Sequence, residues 1–144
     1  MSESAPWSDL ELARFVRAVG HGVVATVRAD GSPEAAVVGL ATSDDLTLSF
    51  DTLGSSRKAA NLRRDGRVAV TVWLGDVTLQ LEGLADEPTG DDLAALQATY
   101  FEAFPEGRER QTWPGITWFR VRARWLRLSD FGTEPPTVIE RRRD

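Results

Sequence analysis

Apolar side chains recur at helical spacing near the start of the chain, and beyond residue 22 they alternate with polar ones at the period of β-strands. Ser8 followed by Glu11 has the spacing of a capping box, and Gly20 and Gly22 are residues that end helices. The sequence therefore predicts a first helix between these signals. Its predicted buried face consists of Leu12, Phe15, Val16 and Val19.

Six later segments have the composition and alternation of strands, and tight turns such as Asp30-Gly31 separate several of them. Segment 33–41 is apolar at most positions, so it is expected to be buried on both faces. The predicted strands are 22–28, 33–41, 46–51, 67–73, 77–85 and 115–128. In the last of these, alternation places Trp118, Arg120, Arg122 and Arg124 on one face and Phe119, Val121, Ala123 and Trp125 on the other.

Two further helices interrupt the strands. A short one is predicted in segment 57–66, and another begins near Thr89, where Asp92 has the spacing of a capping box. These segments together predict a mainly β fold, in which six strands close into an antiparallel barrel with about three flanking helices. We expect one domain over 1–144, with 1–7 and 131–144 extended or partly disordered. The predicted buried face of the third helix consists of Leu93, Leu96, Tyr100 and Phe104.

Composition narrows the classes of function. The formal net charge of −5 argues against nucleic-acid binding. The chain has no cysteine and one histidine, so no thiolate or multi-histidine metal site is expected. No apolar run approaches the roughly 18 residues of a membrane span, and the first residues do not resemble a signal peptide. A cytoplasmic protein with no membrane contact is therefore predicted.

Arginines cluster towards the C-terminus. Those at 120, 122, 124 and 127 are expected to pair with acidic groups on the third helix, such as Asp91 and Asp92. The run 141–143 is interpreted as a solvated tail.

The start of the second helix carries an unusual charge pattern. A helix N-terminus is already partly positive, yet Arg57 and Lys58 open this one directly after Ser55 and Ser56. Amides, two hydroxyls, a guanidinium and an ammonium make a suitable phosphate-binding site. The alternative is that Arg57 and Lys58 extend into solvent while a serine caps the helix. The residues alone leave these two interpretations open.

The region around this turn resembles the FMN-binding split-barrel family of pyridoxamine 5′-phosphate oxidase. The shared features are an aromatic residue and Thr at a strand end, a Gly-Ser-Arg-Lys-Ala turn, an Asp-Gly-Arg-Val strand start and a Gln-x-x-Gly strand. The resemblance covers roughly 10 to 130 and is carried by the segments Phe50–Ala59, Asp65–Val68 and Gln80–Gly83.

This resemblance implies a six-stranded split β-barrel, FMN as cofactor, and a homodimer with the cofactor site at the subunit interface. A dimer is also expected because a barrel of this size leaves apolar strand surface to cover. Ser56, Arg57 and Lys58 would hold the phosphate, and Asp51 and Thr52 would lie along the ribityl chain or ring edge. The backbone of Val37 and Val38 would lie beneath the ring. Gln80 would meet the ring, from the second subunit's side of a shared site.

Departures from the family pattern shape the functional prediction. The oxidase itself carries an Arg and a Lys in the strand matching 33–41 and a C-terminal segment that holds pyridoxamine phosphate, and neither has a counterpart here. The resemblance thus implies an FMN-dependent oxidoreductase acting on another small molecule, with no catalytic side chain assigned because the flavin does the chemistry. The alternatives are a deazaflavin-dependent reductase and a non-enzymatic flavin- or haem-binding module, with His21 as the candidate haem ligand.

Overall fold

The computed structural model describes residues 7–110 and 112–143, and these form eight strands and four helices. The strands are β1 His21–Val27, β2 Pro33–Gly39, β3 Ala41–Thr42, β4 Leu48–Leu53, β5 Arg67–Leu74, β6 Val77–Asp86, β7 Ile116–Asp130 and β8 Thr137–Arg142. The helices are α1 Asp9–Val19, α2 Arg57–Arg64, α3 Gly90–Ala103 and α4 Gly107–Arg110. Among the described residues, no helix combines the length and apolar character needed to cross a membrane.

All strand pairs are antiparallel, in the order β2-β1-β5-β6-β7-β4-β3, with β8 added beside β7. β2 lies at one end of this order, and it contacts β4 without pairing with it. The sheet therefore curls into a barrel with an unpaired split between β2 and β4. The predicted mainly β split barrel is confirmed, with a larger number of strands than the six expected.

The barrel encloses one continuous apolar core. Residues of α1 pack inside it, and the Phe50 and Phe119 rings stack with centroids 5.7 Å apart. The predicted cap of α1 is confirmed, because Ser8 Oγ accepts a hydrogen bond from the Glu11 amide at 3.2 Å. Gly20 ends the helix with a φ of 78°, a left-handed conformation that glycine adopts without strain.

Four local predictions need correction. The third helix begins after Thr89, but the Thr89 side chain makes no capping hydrogen bond. Its most deeply buried residues are Leu96, Tyr100 and Phe101, and the expectation omitted the last of these. In β7 the alternation shifts at a bulge opposite Glu82 and Gly83, so Trp125 lies on the outer face, where its indole donates to Glu140 at 2.7 Å. Segment 33–41 divides into β2 and β3, and β2 is largely exposed because it ends the sheet.

The C-terminal arginines are more ordered than expected. Residues 137–142 form β8, and Arg141 and Arg143 both pair with Asp9, at 2.9 and 3.3 Å. The interpretation of 141–143 as a solvated tail is therefore wrong. Of the four arginines expected to pair with α3, Arg120 pairs with Asp92 at 3.7 Å and more closely with Asp86 of β6 at 2.7 Å. Arg127 pairs instead with Glu140 of β8, at 3.0 Å. The segment 1–6 of the predicted N-terminal extension lies outside the described residues.

Candidate functional site

The site is built at the split of the barrel, where β4 ends and α2 begins. Ser56 caps α2, with its Oγ accepting from the Ala59 amide at 3.2 Å. The rest of the α2 first turn contains no acidic residue. The helix therefore presents its N-terminal amides and two cationic residues, Arg57 and Lys58, to the split.

A chain of polar contacts joins β4 to this turn. Thr52 Oγ1 donates to Ser56 Oγ at 3.1 Å, and Lys58 Nζ donates to Thr52 Oγ1 at 3.2 Å. Thr52 is buried and fixed by the pairing of β4 with β7, so it holds the Lys58 ammonium close to the helix N-terminus. Thr52, Ser56, Arg57 and Lys58 are called the phosphate cradle below. Two of its three linked side chains, Ser56 and Lys58, belong to the predicted phosphate-binding set, and the third, Thr52, was expected beside the ribityl chain or ring edge.

Arg57 has a partner that the sequence interpretation overlooked. Its Nε lies 3.4 Å from Glu34 Oε2 of β2, and Glu34 Oε1 accepts from Arg28 Nε at 2.6 Å. The Glu34 side chain is only 12% exposed, whereas that of Arg57 is 78% exposed. Part of the excess positive charge at the helix start is thus offset within the chain. A bound anion is accordingly not required to explain that charge.

The Glu34 carboxylate is ionised in this setting. Burial favours its neutral form, but hydrogen bonds from Arg28 and Asn61, with the positive charges of Arg57 and Arg28, outweigh that effect and lower the pKa of Glu34. A fixed negative charge therefore lies beside the phosphate cradle.

Two cavities adjoin the cradle and meet at Lys58. The first, called the cradle cavity, has a volume of about 240 Å³. The second, called the strand-edge cavity, has a volume of about 440 Å³ and runs along the free edge of β2. The cradle cavity is lined by Val24, Thr26, Glu34, Ala35, Ala36, Ser56, Arg57 and Lys58. The strand-edge cavity is lined by Val37, Val38, Gly39, Asp51, Lys58, Tyr100, Phe104 and Glu106.

The strand-edge cavity has an aromatic wall from α3. Tyr100 and Phe104 have ring centroids 4.9 Å apart, and the Tyr100 hydroxyl donates to Asp51 Oδ1 at 2.9 Å. Opposite them lies β2, whose Val37 is 65% exposed. The Phe104 ring can approach the β2 backbone closely because residue 39 is a glycine. A Cβ at this position would lie only 3.1 Å from the ring. The result is a groove with a charged end at α2 and an apolar, aromatic end at α3.

Seven of the nine predicted cofactor-binding residues meet in this groove. They are Val37, Val38, Asp51, Thr52, Ser56, Arg57 and Lys58. Ser55 is exposed next to the cradle, but it lines neither cavity.

Gln80, the ninth predicted residue, lies outside the groove and lines neither cavity. Strand pairing places Val37, Val23, Thr71 and Gln80 in one row across β2, β1, β5 and β6. Directly paired residues share a face, so Gln80 is on the same outer face as Val37. Three strand spacings separate them, roughly 14 Å along the sheet.

Sequence reasoning missed Glu34, Tyr100 and Phe104. The two aromatic residues were assigned to the buried face of α3, and their spacing does not show that this face ends at the groove. No sequence pattern marks Glu34 either, because its contact with Arg57 of α2 depends on how the sheet curls.

A larger cavity, of about 670 Å³, lies away from the groove. It is found near the bulge between β6 and β7 and contains none of the predicted cofactor-binding residues. Cavity size alone would therefore select a different site. We favour the groove because a helix N-terminus, hydroxyls, cations and aromatic rings converge there.

The chain matches the family model described as pyridoxamine 5′-phosphate oxidase over residues 9–130. It belongs to the pyridoxamine 5′-phosphate oxidase family. A curated relative, the pyridoxine/pyridoxamine 5′-phosphate oxidase of Cupriavidus necator, is 30% identical over 146 residues, covering 94% of this chain. This chain spans only 66% of the length of that relative.

Solved structures of other proteins have a similar fold. A heme binding protein from Mycobacterium smegmatis superposes with a TM-score of 0.81 at 20% identity, covering 96% of this chain and 60% of that one. A pyridoxamine 5′-phosphate oxidase-related, FMN binding protein from Nostoc punctiforme gives a TM-score of 0.72 at 15% identity, covering 99% and 94% of the two chains. At these identities the likeness shows the split-barrel fold and leaves the ligand open.

Proposed function

We propose that this chain is an FMN-dependent oxidoreductase that acts on a small molecule other than pyridoxamine phosphate. The observation that carries the proposal is the Thr52–Ser56–Lys58 network at the α2 N-terminus, beside an apolar groove edged by Val37 and Val38. A phosphate at the cradle and a flat ring along β2 would fit its charged and apolar ends. The family membership and the FMN binding protein of the same fold support this choice.

In this arrangement, the protein binds and orients the cofactor. The Ser56 and Lys58 side chains and the α2 amides would hold the phosphate, and the exposed Arg57 would add a forked pair of donors. FMN would supply the hydride or electron transfer when bound. Tyr100, held by Asp51, and Phe104 would limit access of water to the apolar end of the groove.

We further propose a homodimer that completes the site. The row from Val37 to Gln80 lies on an outer face with small or apolar residues at Val23, Ala25 and Ala69. Two copies packed through this face would bury the exposed Val37. Gln80 of the partner subunit would then approach the flavin ring in this chain's groove, which this chain's own Gln80 does not reach.

The test is an FMN titration of purified protein, followed by absorbance and flavin fluorescence. Replacing both Arg57 and Lys58 by Ala should weaken FMN binding by about 3 kcal/mol or more, because each charge-assisted phosphate contact contributes about 1.5–3 kcal/mol. A matched control removes two exposed arginines outside the groove, with Arg122→Ala and Arg124→Ala. Equal FMN affinity in all three proteins, or none in the wild type, would contradict the proposal. Competition with a deazaflavin cofactor in the same assay separates those two cofactors.

A haem-binding module is the second candidate. The exposed His21 pairs with Gly39, which lines the strand-edge cavity, and one neighbour of the same fold is a heme binding protein. If haem binds through His21, titration gives a shifted Soret band that His21→Ala abolishes. A spectrum that is unaffected by His21→Ala would exclude this ligation.

A further inference from the structure

Glu34 is the one acidic side chain that lines the cradle cavity together with Arg57 and Lys58. It is held from two sides, by Arg28 at the end of β1 at 2.6 Å and by Arg57 of α2 at 3.4 Å. Asn61 of α2, which donates to Thr26 Oγ1 at 3.0 Å, also lowers the pKa of Glu34 through a side-chain hydrogen bond. The carboxylate is therefore fixed at the wall of the cavity and is not free to turn away into solvent.

This arrangement changes the charge that a phosphate would meet. Arg57 and Lys58 contribute two positive charges to the cavity lining and Glu34 contributes one negative charge, which Arg28 also pairs with from outside the lining. A phosphate monoester carries a charge of about −1.5 to −2 at pH 7, with a second pKa near 6. A dianion at the cradle would thus be attracted by the cations and repelled by the carboxylate in the same cavity wall. It would also compete with Glu34 for the Arg57 guanidinium.

We infer that Glu34 is a specificity-determining residue that competes with the cofactor phosphate for Arg57 and reduces the preference for phosphorylated over unphosphorylated flavin. This inference rests on the proposed FMN site. Because the groove is otherwise unaltered, the effect is confined to ligands that carry the phosphate. It also depends on pH, since the repulsion weakens when the bound phosphate is a monoanion.

The experiment compares Glu34→Gln with the wild type in titrations with FMN and with riboflavin, which shares the ring and lacks the phosphate. Glutamine keeps an acceptor for Arg28 while removing the charge. We expect FMN affinity to rise about tenfold near pH 8, with riboflavin affinity unchanged. A repulsion between two like charges of this kind changes an equilibrium constant by about a factor of ten, which is the size of a shift of about one pKa unit. The gain should be smaller near pH 6, where about half of the FMN phosphate is a monoanion.

Glu102→Gln, on the exposed surface of α3, removes the same charge away from the groove and should leave both affinities unchanged. Thermal unfolding of each variant, together with a second variant Glu34→Ala, separates a binding effect from a folding defect. Unchanged or weaker FMN binding by folded Glu34→Gln protein would overturn the inference, since it would mean that Glu34 positions Arg57 for the phosphate. If the Arg57 and Lys58 variant loses FMN while Glu34→Gln changes nothing, only this inference fails. If neither the wild type nor Glu34→Gln binds FMN, the proposed function fails with it.

Discussion

The Asn61 amide donates to Thr26 Oγ1 at 3.0 Å, in a buried contact that fixes α2 against β1. The two residues are 5% and 3% exposed. Arg64, one turn further along α2, donates to Asn61 Oδ1 at 3.3 Å and to the Val27 carbonyl, so the helix is tied to β1 at successive positions. The place of the phosphate cradle is thus set by contacts between α2 and β1, one of which is made by Thr26 in the wall of the cradle cavity.

Thr26→Val should lower the free energy of unfolding by about 1–3 kcal/mol, because it leaves the buried Asn61 amide without its acceptor. The shape of the side chain is nearly unchanged, so little of this loss would come from packing. Denaturant unfolding measures it. Thr78→Val, which replaces a half-buried threonine of β6 outside this contact, is the control. Equal stability of the two variants would show that the Asn61 contact contributes nothing.

The charged end of the site could be predicted from local sequence because its residues are close together along the chain. Thr52, Ser56 and Lys58 lie close together in sequence, from the end of β4 to the start of α2. The order of residues at a helix start decides which amides and charges face outwards. The presence of β5 and β6 likewise follows from the alternation of residue types along each segment. These features depend on neighbours in the chain, and neighbours are what a sequence pattern reports.

The missed features depend on the closure of the sheet. Glu34 meets Arg57 only because β2 ends the sheet and curls towards α2. An apolar strand in the middle of a sheet and one at its edge can have the same composition, which is why 33–41 was wrongly expected to be buried. The bulge opposite Gly83 is also invisible to alternation, and it reverses the facing of Trp125.

Gly83→Ala should be strongly destabilising. A Cβ at this position would lie 2.0 Å from the Arg122 carbonyl oxygen, which belongs to the paired backbone of β7 and cannot move aside as a side chain would. Overpacking of this kind costs about 1–3 kcal/mol, and the upper end is expected here. Calorimetric unfolding of the variant gives the value. Glu82→Ala at the exposed neighbouring position should change stability by less than about 0.5 kcal/mol, and a Gly83→Ala protein as stable as that control would contradict the tight β6–β7 approach.

The ion pair of Asp86 with Arg120 predicts part of the acid sensitivity. A hydrogen bond from Arg120 lowers the pKa of Asp86 below its ordinary 3.8. A carboxyl whose pKa is lower in the folded chain than in the unfolded chain stabilises the fold above the unfolded value, and that stabilisation disappears as the pH falls through the folded value. Asp86→Asn should therefore be less stable than the wild type near pH 7, with the difference shrinking steadily below about pH 4. Denaturant midpoints measured from neutral to acidic pH follow this convergence, and a difference independent of pH would mean that another effect of the substitution dominates.

The proposed dimer makes a prediction that links assembly to cofactor binding. Thr71 lies in the middle of the row between Val37 and Gln80, on the outer face and away from both cavities. Thr71→Arg would place a charge at the centre of the packed face, where an unpaired charge is costly to bury. Sedimentation equilibrium should show a monomer, and FMN affinity should fall because the partner's side of the site is lost. Gln80→Ala should remain dimeric and alter the flavin spectrum or affinity alone, since it changes one contact to the ring. If Thr71→Arg is monomeric and binds FMN as tightly as the wild type, the groove of a single chain is sufficient for binding, and Gln80 has no part in it.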